Sequence, residues 1–418
     1  MDQASPKRKI HNPWSNREEL ARVSNAHLVL ATLVCFLCAL CIPLCNNRTL
    51  ALIVLAVLFA YVAAAGRNPL TVSLVLVTAV LFTLLGSTVG IGFSVGAVLL
   101  SVVVGCETAT LLMTATRRGY LALLIPIAAF GVAYFVTGHL MTSLSALVFL
   151  PAAALLALAT LRAKGRTTTI CFAELGFLLS TVGVFAALIW QTYGNLGPTA
   201  IRASVDAVRE SLVQALLTVR DQNLATLEGV QADAATQAWI EQINLLYSKE
   251  TALQMFAVLP AAITVVCAVI AYEAQALLNA SYRTVGLGAV LTPSARFLEM
   301  SVTSAILFAL SFVMSMFTSS ATVAGAVMQN LSIILMPGLF VIGVQSIVAT
   351  VRQARGGMRI VILLIAVLFF CCSGSAFYVL AFWGSYCTVM VALQKRMMEK
   401  IIQGGRGDDA PDDRDGED

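Results

Sequence analysis

Charged residues are scarce in this chain of 418 residues, because Asp, Glu, Lys and Arg together make up only 11% of it. An average soluble domain contains roughly 25% of these residues, so the chain has too little charge to cover a soluble fold of this size. Apolar residues make up 59%, and the mean hydropathy of +0.87 points the same way. The composition excludes a soluble enzyme, a disordered chain and a nucleic-acid-binding protein. It predicts an all-α, polytopic transmembrane helical bundle.

The sequence motifs of soluble enzymes are also missing. No G-x-x-x-x-G-K-[ST] stretch provides a P-loop, no H-E-x-x-H pair provides a zinc site, and no G-x-S-x-G elbow provides a nucleophilic serine. The only three histidines, His11, His27 and His139, are too scattered for a metal site. We therefore expect no enzymatic activity of a known kind, no cofactor and no metal, and leave open only an unfamiliar intramembrane activity.

Four of the ten cysteines, Cys35, Cys38, Cys41 and Cys45, have the spacing C-x2-C-x2-C-x3-C of a bacterial iron–sulfur run. They lie inside an apolar stretch that is predicted to be helical, without a glycine to let the backbone wrap around a cluster. The spacings of three and four instead place small side chains on one helix face. We interpret the run as a packing surface, and we predict no disulfide framework.

Long apolar runs divide the chain into candidate spans of about 20 residues each. Runs of single-span length are Leu28–Cys45, Leu50–Ala65, Thr168–Trp190, Met255–Leu278, Met300–Thr318 and Val323–Thr350. Two runs have double length, Leu70–Thr116 and Leu121–Leu161, and each predicts two spans. The run Leu121–Leu161 is broken near Gly138. The last run, Ile360–Leu393, is either one long helix or a hairpin that turns at residues 373–375.

Basic residues favour the hairpin, because loops that face the cytoplasm carry an excess of Lys and Arg. With twelve spans and a cytoplasmic N-terminus, 21 of the 26 basic residues fall on the inner side. A single final helix would place Lys395, Arg396 and Lys400 outside. We therefore predict about twelve spans, with eleven as the alternative, in a bacterial cytoplasmic membrane with both termini in the cytoplasm.

This topology divides the chain into five parts. They are a basic cytoplasmic tail (1–27), a bundle of about seven spans (28–190), an extracytoplasmic segment (191–254), a bundle of about five spans (255–393) and a cytoplasmic tail (394–418). The last tail ends in Gly404–Asp418, which holds seven acids and two arginines. Because this stretch has no apolar run, we predict that it is disordered.

The segment 191–254 is predicted to form amphipathic helices. Val205, Val208, Leu212, Leu216 and Val219 recur at spacings of three and four, which is one face of a helix. Trp239, Ile243 and Leu246 repeat the pattern, and we expect this second helix to run on into the eighth span. The segment is either a helical hairpin that covers the bundle, or a lid or docking surface for a partner.

Two acids are predicted to lie deep in the membrane. Glu107 lies ten residues before Arg117, which corresponds to a depth of about 15 Å at 1.5 Å per residue. Glu174 lies eight residues after Arg166, at about 12 Å. Charged side chains at such depth cost roughly 2.5–3.5 kcal/mol and usually face a bundle interior or a wet cavity. They are candidates for a functional site, or for neutral groups with a structural role.

Polar side chains in the tenth span form the other part of the candidate intramembrane polar site. Gln329 and Asn330 precede Pro337, which is expected to bend the helix. Amides in spans either join helices through hydrogen bonds or line a cavity for a substrate. Glu273 and Glu299, nearer the inner interface, are expected to form ion pairs with Arg283 and Arg296.

Several short stretches carry a family resemblance. Leu259-Pro260-Ala261-Ala262 opens a long span that ends in Asn279-Ala280-Ser281-Tyr282-Arg283, and Asn330 and Gly343-Val344-Gln345 follow. This order resembles the YybS-like family of uncharacterised bacterial membrane proteins, a domain of unknown function. The N-terminal half is also loosely similar to the substrate-capture subunits of energy-coupling-factor vitamin transporters. The resemblance implies a polytopic membrane protein and supplies no catalytic residues.

Two functions follow as expectations. The first is transport-related binding of a small solute or ion within the bundle, with Glu107, Glu174, Gln329 and Asn330 as the binding residues. The second is a membrane scaffold in envelope biogenesis or division-linked assembly that acts through the extracytoplasmic helices. In either case the expected partners are the lipid bilayer and other membrane subunits, with no nucleic acid, and the identity of the small ligand is left open.

Overall fold

The computed structural model describes residues 25–45, 47–65, 69–87, 92–116, 119–162, 164–227, 234–287, 298–318, 322–353 and 376–404. Every regular element within these ranges is a helix. The predicted all-α fold is therefore confirmed. The tails 1–24 and 405–418 lie outside the described residues, as does the predicted turn at 373–375.

Eight described helices are long enough and apolar enough to cross a membrane by length and composition. They are Ala26–Leu44, Phe93–Ala115, Gly119–Thr137, Leu140–Leu161, Arg166–Tyr193, Lys249–Val285, Val323–Val351 and Ala376–Glu399. Two shorter apolar helices, Thr49–Ala64 and Val302–Phe317, and the helix Pro69–Ser87 match three further predicted spans. The described residues thus account for eleven of the twelve predicted spans. The other one, which begins at Ile360, lies outside them, so the choice between twelve and eleven stays a prediction.

The described residues form two compact units. Unit 1 comprises those within 1–252 and 263–296, and unit 2 comprises those within 253–262 and 297–418. The helices of unit 1 are α1 (Asn25–Leu44), α2 (Arg48–Ala65), α3 (Pro69–Ser87), α4 (Gly92–Ala115), α5 (Leu124–Thr137), α6 (Leu140–Leu144), α7 (Leu150–Leu161), α8 (Arg166–Tyr193), α9 (Pro198–Ala225) and α10 (Ala234–Leu246). Helix α11 (Lys249–Val285) contributes to both units, and α12 (Val302–Phe317), α13 (Val323–Gln353) and α14 (Ala376–Gly404) belong to unit 2.

Helix α4 is the centre of unit 1, where α1, α2, α3 and α7 pack against it. All of its residues from Leu99 to Ala115 are buried. A helix that is apolar on every side is stable only where every side is covered, and α4 carries a single charged residue, Glu107. The four closely spaced cysteines are buried within or directly after α1, as free thiols.

Helix ends in unit 1 follow local signals in the sequence. Helix α5 ends at Thr137, and the next residue, Gly138, has a φ of +67° that favours glycine. The predicted break near Gly138 is therefore confirmed. The prediction that the second outer helix runs on into the eighth span is wrong. Helix α10 ends at Leu246, and the Ser248 hydroxyl accepts a hydrogen bond from the Thr251 N–H (3.1 Å), which caps a new helix, α11.

Helices α12, α13 and α14 pack against one another in unit 2. A Cβ atom on Gly343 would collide with the Leu380 carbonyl oxygen, and one on Gly384 with that of Leu339. Glycine at both positions therefore permits α13 and α14 to approach closely.

An aromatic cluster lies between α12 and α14 in unit 2. It consists of Phe308 and Phe312 from α12 with Tyr378 and Phe382 from α14, and the ring centroids of pairs across the two helices are 5.0–5.1 Å apart. Ring pairs at this spacing stabilise the packed core beyond the area that they bury.

The predicted amphipathic helices of segment 191–254 are present as α9 and α10. Their apolar side chains are only partly covered, with exposed fractions of 38% for Val205, 62% for Trp239 and 73% for Leu245. The structure thus leaves much of their apolar surface accessible.

Candidate functional site

The four predicted site residues fall into different surroundings. Glu107 and Glu174 belong to unit 1, whereas Gln329 and Asn330 belong to unit 2. Their side chains also differ in burial, since Glu107 is fully buried and the other three are half-buried.

Glu107 lies on α4 in the interior of unit 1, with no solvent-exposed surface. The Tyr61 hydroxyl, from α2, donates a hydrogen bond to Glu107 Oε2 (3.0 Å). The Ser281 hydroxyl, from α11, lies beside the same carboxyl group but outside hydrogen-bonding geometry. Three helices that are distant in sequence therefore bring polar groups to one point.

The hydrogen bonding of this cluster is incomplete. Among the described residues, neither Glu107 Oε1 nor Ser281 Oγ has a hydrogen-bond partner, although both atoms are buried. A buried polar atom without a partner costs roughly 1–3 kcal/mol, and most such atoms in folded proteins are paired. These two atoms therefore require an explanation, which makes the cluster a candidate site.

Glu174 has other neighbours. It is half-buried on α8, near the thiols of Cys171 and Cys267. Partial exposure reduces the penalty for a carboxylate, because the group keeps part of its hydration or lies near headgroups. The free-energy cost of an ionised carboxylate is therefore lower at Glu174 than at Glu107.

Asn330 joins two helix segments of unit 2. Its Oδ1 accepts a hydrogen bond from the Ala261 N–H (3.0 Å), and its Nδ2 donates to the carbonyl oxygens of Ala257 (2.7 Å) and Ala326 (2.8 Å). In a regular helix the Ala261 N–H would bond the Ala257 carbonyl. Here the Asn330 amide pairs with both of these groups instead. Ala261 directly follows Pro260, which lies inside α11.

Proline at this position explains why the amide is needed. A proline inside a helix removes one N–H, and its ring pushes the preceding turn apart. The Asn330 side chain supplies partners to the backbone groups at this break. All three of its strong hydrogen-bonding atoms are used, because both N–H groups and the oxygen have partners. Asn330 therefore joins helices, and its role in binding a ligand stays a prediction.

Gln329, the preceding residue, lines a small cavity instead. The cavity has a volume of about 240 Å³ and lies between α12, α13 and α14. Its other lining residues are Phe312, Ser315, Thr318, Gly325, Ser332 and Tyr378. Most of these side chains carry a hydroxyl group, which is unusual for a cavity between apolar helices.

The hydroxyl groups of this cavity present oxygen lone pairs. Ser315, Thr318 and Ser332 each donate their hydrogen to a carbonyl of their own helix, those of Phe312 (2.7 Å), Met314 (2.8 Å) and Gln329 (2.8 Å). A hydroxyl has one hydrogen and two acceptor lone pairs, so each oxygen can still accept a hydrogen bond. The cavity therefore suits a small solute that donates hydrogen bonds.

A larger and more apolar cavity of about 540 Å³ lies elsewhere in unit 2. Glu299 and Lys395 line it, with Oε1 and Nζ 4.0 Å apart and both side chains largely exposed. Glu299 thus has an ion pair, with Lys395, and its predicted partner Arg296 lies outside the described residues. An exposed pair of this kind contributes little to stability.

Glu273 differs from its prediction. It is fully buried in unit 1, and among the described residues neither of its carboxyl oxygens has a hydrogen-bond partner or an ion pair. Arg283, its expected partner, is exposed, and Arg296 lies outside the described residues. The expected pair with Arg283 is absent because the two residues are ten positions apart in one helix, about 15 Å along its axis at 1.5 Å per residue.

The partners of the site residues, Tyr61 and Ser281, were not predicted from the sequence. Tyr61 is the only polar residue between Leu50 and Ala65, which is a signal that could have been used. Ser281 and Ser332 gave no such signal, because single serines are common in membrane helices.

Comparison with known proteins gives a family but no relative with an established activity. The family of predicted membrane proteins DUF2232 matches residues 108–386. No curated protein and no solved structure matches the chain. The expectation of an uncharacterised membrane-protein family is confirmed, and the narrower YybS-like name stays a prediction.

Proposed function

Because the chain belongs to the DUF2232 family of predicted membrane proteins, we propose that it is a transport-related membrane protein that binds a small polar solute or ion between its helices. The observation that carries the proposal is the cavity of about 240 Å³ at Gln329. A cavity lined by hydroxyl and amide groups inside an apolar helix bundle lowers the cost of removing a polar solute from water. The proposal includes no catalytic step, and it places both termini in the cytoplasm.

The size and charge of the cavity limit the solute. Its volume is below the roughly 300–1,000 Å³ of pockets for drug-sized ligands, so the solute has few heavy atoms. No carboxylate or basic side chain is among the described residues that line it. The solute is therefore an uncharged molecule that donates hydrogen bonds, or a monovalent cation held by neutral oxygens.

The test is ligand-induced stabilisation of the purified full chain in lipid nanodiscs. The protein is heated with each member of a panel of small polyols, amides, sugars, Na⁺ and K⁺. A ligand at 100 times its Kd stabilises the folded state by about 2.7 kcal/mol, which raises the unfolding temperature measurably. If no member of the panel has this effect, the proposed function is wrong for these chemical classes.

A matched pair of variants locates the binding. Ser332 and Ser311 are both buried in unit 2, and both donate to the carbonyl three residues earlier, but only Ser332 lines the cavity. Ser332→Ala should weaken the stabilisation by an active solute, whereas Ser311→Ala should leave it unchanged. Equal responses of the two variants would place the solute elsewhere. A solute that passes this test is then followed across proteoliposomes that contain the protein.

One observation supports the second candidate function, a membrane scaffold. Trp239 and Leu245 on α10 expose 62% and 73% of their surface. Large apolar side chains that are exposed together are typical of docking surfaces. Replacing both with Ser should abolish association with partner proteins in the native membrane if the scaffold function is correct. The same change should leave solute-induced stabilisation intact if the transport function is correct.

A further inference from the structure

The incomplete hydrogen bonding around Glu107 points to a second site in unit 1, separate from the solute cavity. We propose that Glu107, Tyr61 and Ser281 form a proton-binding site, in which Glu107 is a neutral carboxylic acid at neutral pH with an exchangeable proton on Oε1. The site does not rest on the function proposed above, because it belongs to other helices and needs no solute.

An ionised Glu107 would be poorly supported by these surroundings. A fully buried carboxylate needs a positive partner or several donors. The structure gives it one donor, the Tyr61 hydroxyl at 3.0 Å from Oε2, and leaves Oε1 without any among the described residues. The charge would thus rest on one hydrogen bond, or on two at most if the Ser281 hydroxyl turned toward it, without a positive partner in an apolar interior.

The neighbouring titratable groups do not supply the missing charge. Within the described part of the chain, the groups that face Glu107 are Cys35 and Cys38 from α1, Tyr61 from α2, Cys106 from α4 and Tyr282 from α11. All five are neutral in their protonated form and negative in the other form. None of them can therefore offset a negative charge on Glu107.

A proton on Oε1 completes the hydrogen bonding. The protonated oxygen becomes a donor, and Ser281 Oγ, which is buried beside it without a partner, becomes its acceptor. Oε2 continues to accept from Tyr61. One proton thus accounts for both unpartnered atoms at once.

The same three residues also allow the proton to leave. When Oε1 loses its proton, the Ser281 hydroxyl can turn its own hydrogen toward the carboxylate, because a hydroxyl both donates and accepts. The carboxylate then has two donors, Tyr61 and Ser281. Because Glu107 has no exposed surface, the released proton passes to water when the helices open locally. This reversal makes the cluster suited to binding and releasing a proton.

Infrared spectroscopy of the full chain in lipid nanodiscs tests the proposal, because a neutral carboxylic acid and a carboxylate have separate stretching bands. At neutral pH the wild type should show the band of a buried carboxylic acid, and this band should shift in D₂O. Glu107→Gln should remove it. Three results would overturn the proposal: absence of the band at neutral pH, absence of the D₂O shift, or persistence of the whole band in Glu107→Gln.

Further variants separate the site from other carboxyl groups and from misfolding. Glu174→Gln, which changes a half-buried carboxyl of the same unit, should leave the Glu107 band in place, and Glu273→Gln identifies any contribution of the second buried carboxyl.

Tyr61→Phe keeps the acid but removes the hydrogen bond to its C=O group, so the band should move to higher frequency. An unmoved band in Tyr61→Phe would contradict the assignment even if Glu107→Gln failed to fold. A carboxylate band that appears only with Na⁺ would show that the site binds a cation instead, which also contradicts it.

Discussion

The polar clusters at Glu107 in unit 1 and Asn330 in unit 2 look alike in sequence but differ in how completely they are bonded. Asn330 satisfies both N–H groups and its oxygen through three hydrogen bonds to backbone groups. Glu107 has one hydrogen bond, and one of its oxygens is buried without a partner in the described structure. A fully bonded polar group in a membrane holds helices together, whereas an incompletely bonded one is available for a ligand or a proton.

The donors and acceptors around the two side chains also explain why one position holds an amide and the other an acid. The Asn330 site needs two donors and one acceptor, which an amide provides and a carboxyl group does not. The Glu107 site has one donor, Tyr61, and one potential acceptor, Ser281. A protonated carboxyl group matches both, and an amide matches both with one N–H left over. Exchanging acid and amide at the two positions should therefore have unequal effects.

The largest expected effect is that of Asn330→Asp. The change removes both donors, so the carbonyl oxygens of Ala257 and Ala326 lose their bonds to this side chain. The Ala257 carbonyl is left unpaired at about 1–3 kcal/mol, whereas the Ala326 carbonyl keeps its backbone bond within α13. An aspartate also places a charge among the helices, at a cost of roughly 2.5–3.5 kcal/mol at a helix centre. We expect a loss of about 3 kcal/mol in the free energy of unfolding, measured by SDS titration in micelles. Gln329→Leu, at the neighbouring position, is the control and should cost less than about 1 kcal/mol. Equal losses in the two variants would show that Asn330 does not join the helices.

A smaller effect is expected where α13 and α14 meet. In Gly384→Ala the added Cβ collides with the Leu339 carbonyl oxygen, and overpacking of this kind costs roughly 1–3 kcal/mol. Gly131→Ala on α5 is the matched control, because a Cβ there meets nothing within 4 Å. Alanine should stabilise this position by up to about 1 kcal/mol through helix propensity. If the two variants are equally stable in thermal unfolding, α13 and α14 do not approach each other as closely as the structure shows.

Tyr61→Phe should have a still smaller effect on stability. It removes one hydrogen bond to Glu107, and a bond to a neutral group contributes about 0.5–1.5 kcal/mol, against about 1.5–3 kcal/mol for a bond to a charged group. We therefore expect a loss near 1 kcal/mol in SDS unfolding at neutral pH. A loss of 3 kcal/mol would indicate an ionised carboxylate and would remove the contrast between the two units.

The helices were largely predictable from the sequence, and the break before α11 was not. Apolar runs and basic loops mark spans because the bilayer imposes their length and orientation. The start of α11 depends on one capping serine, Ser248, in a stretch whose helical periodicity continues on both sides. Periodicity therefore favoured one long helix where the hydrogen bonding makes two.

The site was predictable only in part. Depth in the membrane identified Glu107, but its partner Tyr61 lies 46 positions away in the chain, and periodicity carries no information on which helices meet. Gln329 and Asn330 are adjacent, yet one lines a cavity and the other joins helices. Successive side chains on a helix point about 100° apart, so neighbours in sequence have different surroundings once the helices pack.

The most direct test of the difference between the two clusters is the stability of Glu107→Gln, measured beside Asn330→Asp under the same conditions. In Glu107→Gln the amide oxygen can accept from Tyr61 and one N–H can donate to Ser281, which reproduces the bonding of the neutral acid and leaves only the second N–H without a described partner. We predict a loss of about 1 kcal/mol in the free energy of unfolding, the lower end of the cost of one buried unpaired group. A loss as large as that of Asn330→Asp would contradict the account, because it would mean that Glu107 is ionised and fully bonded in the folded protein.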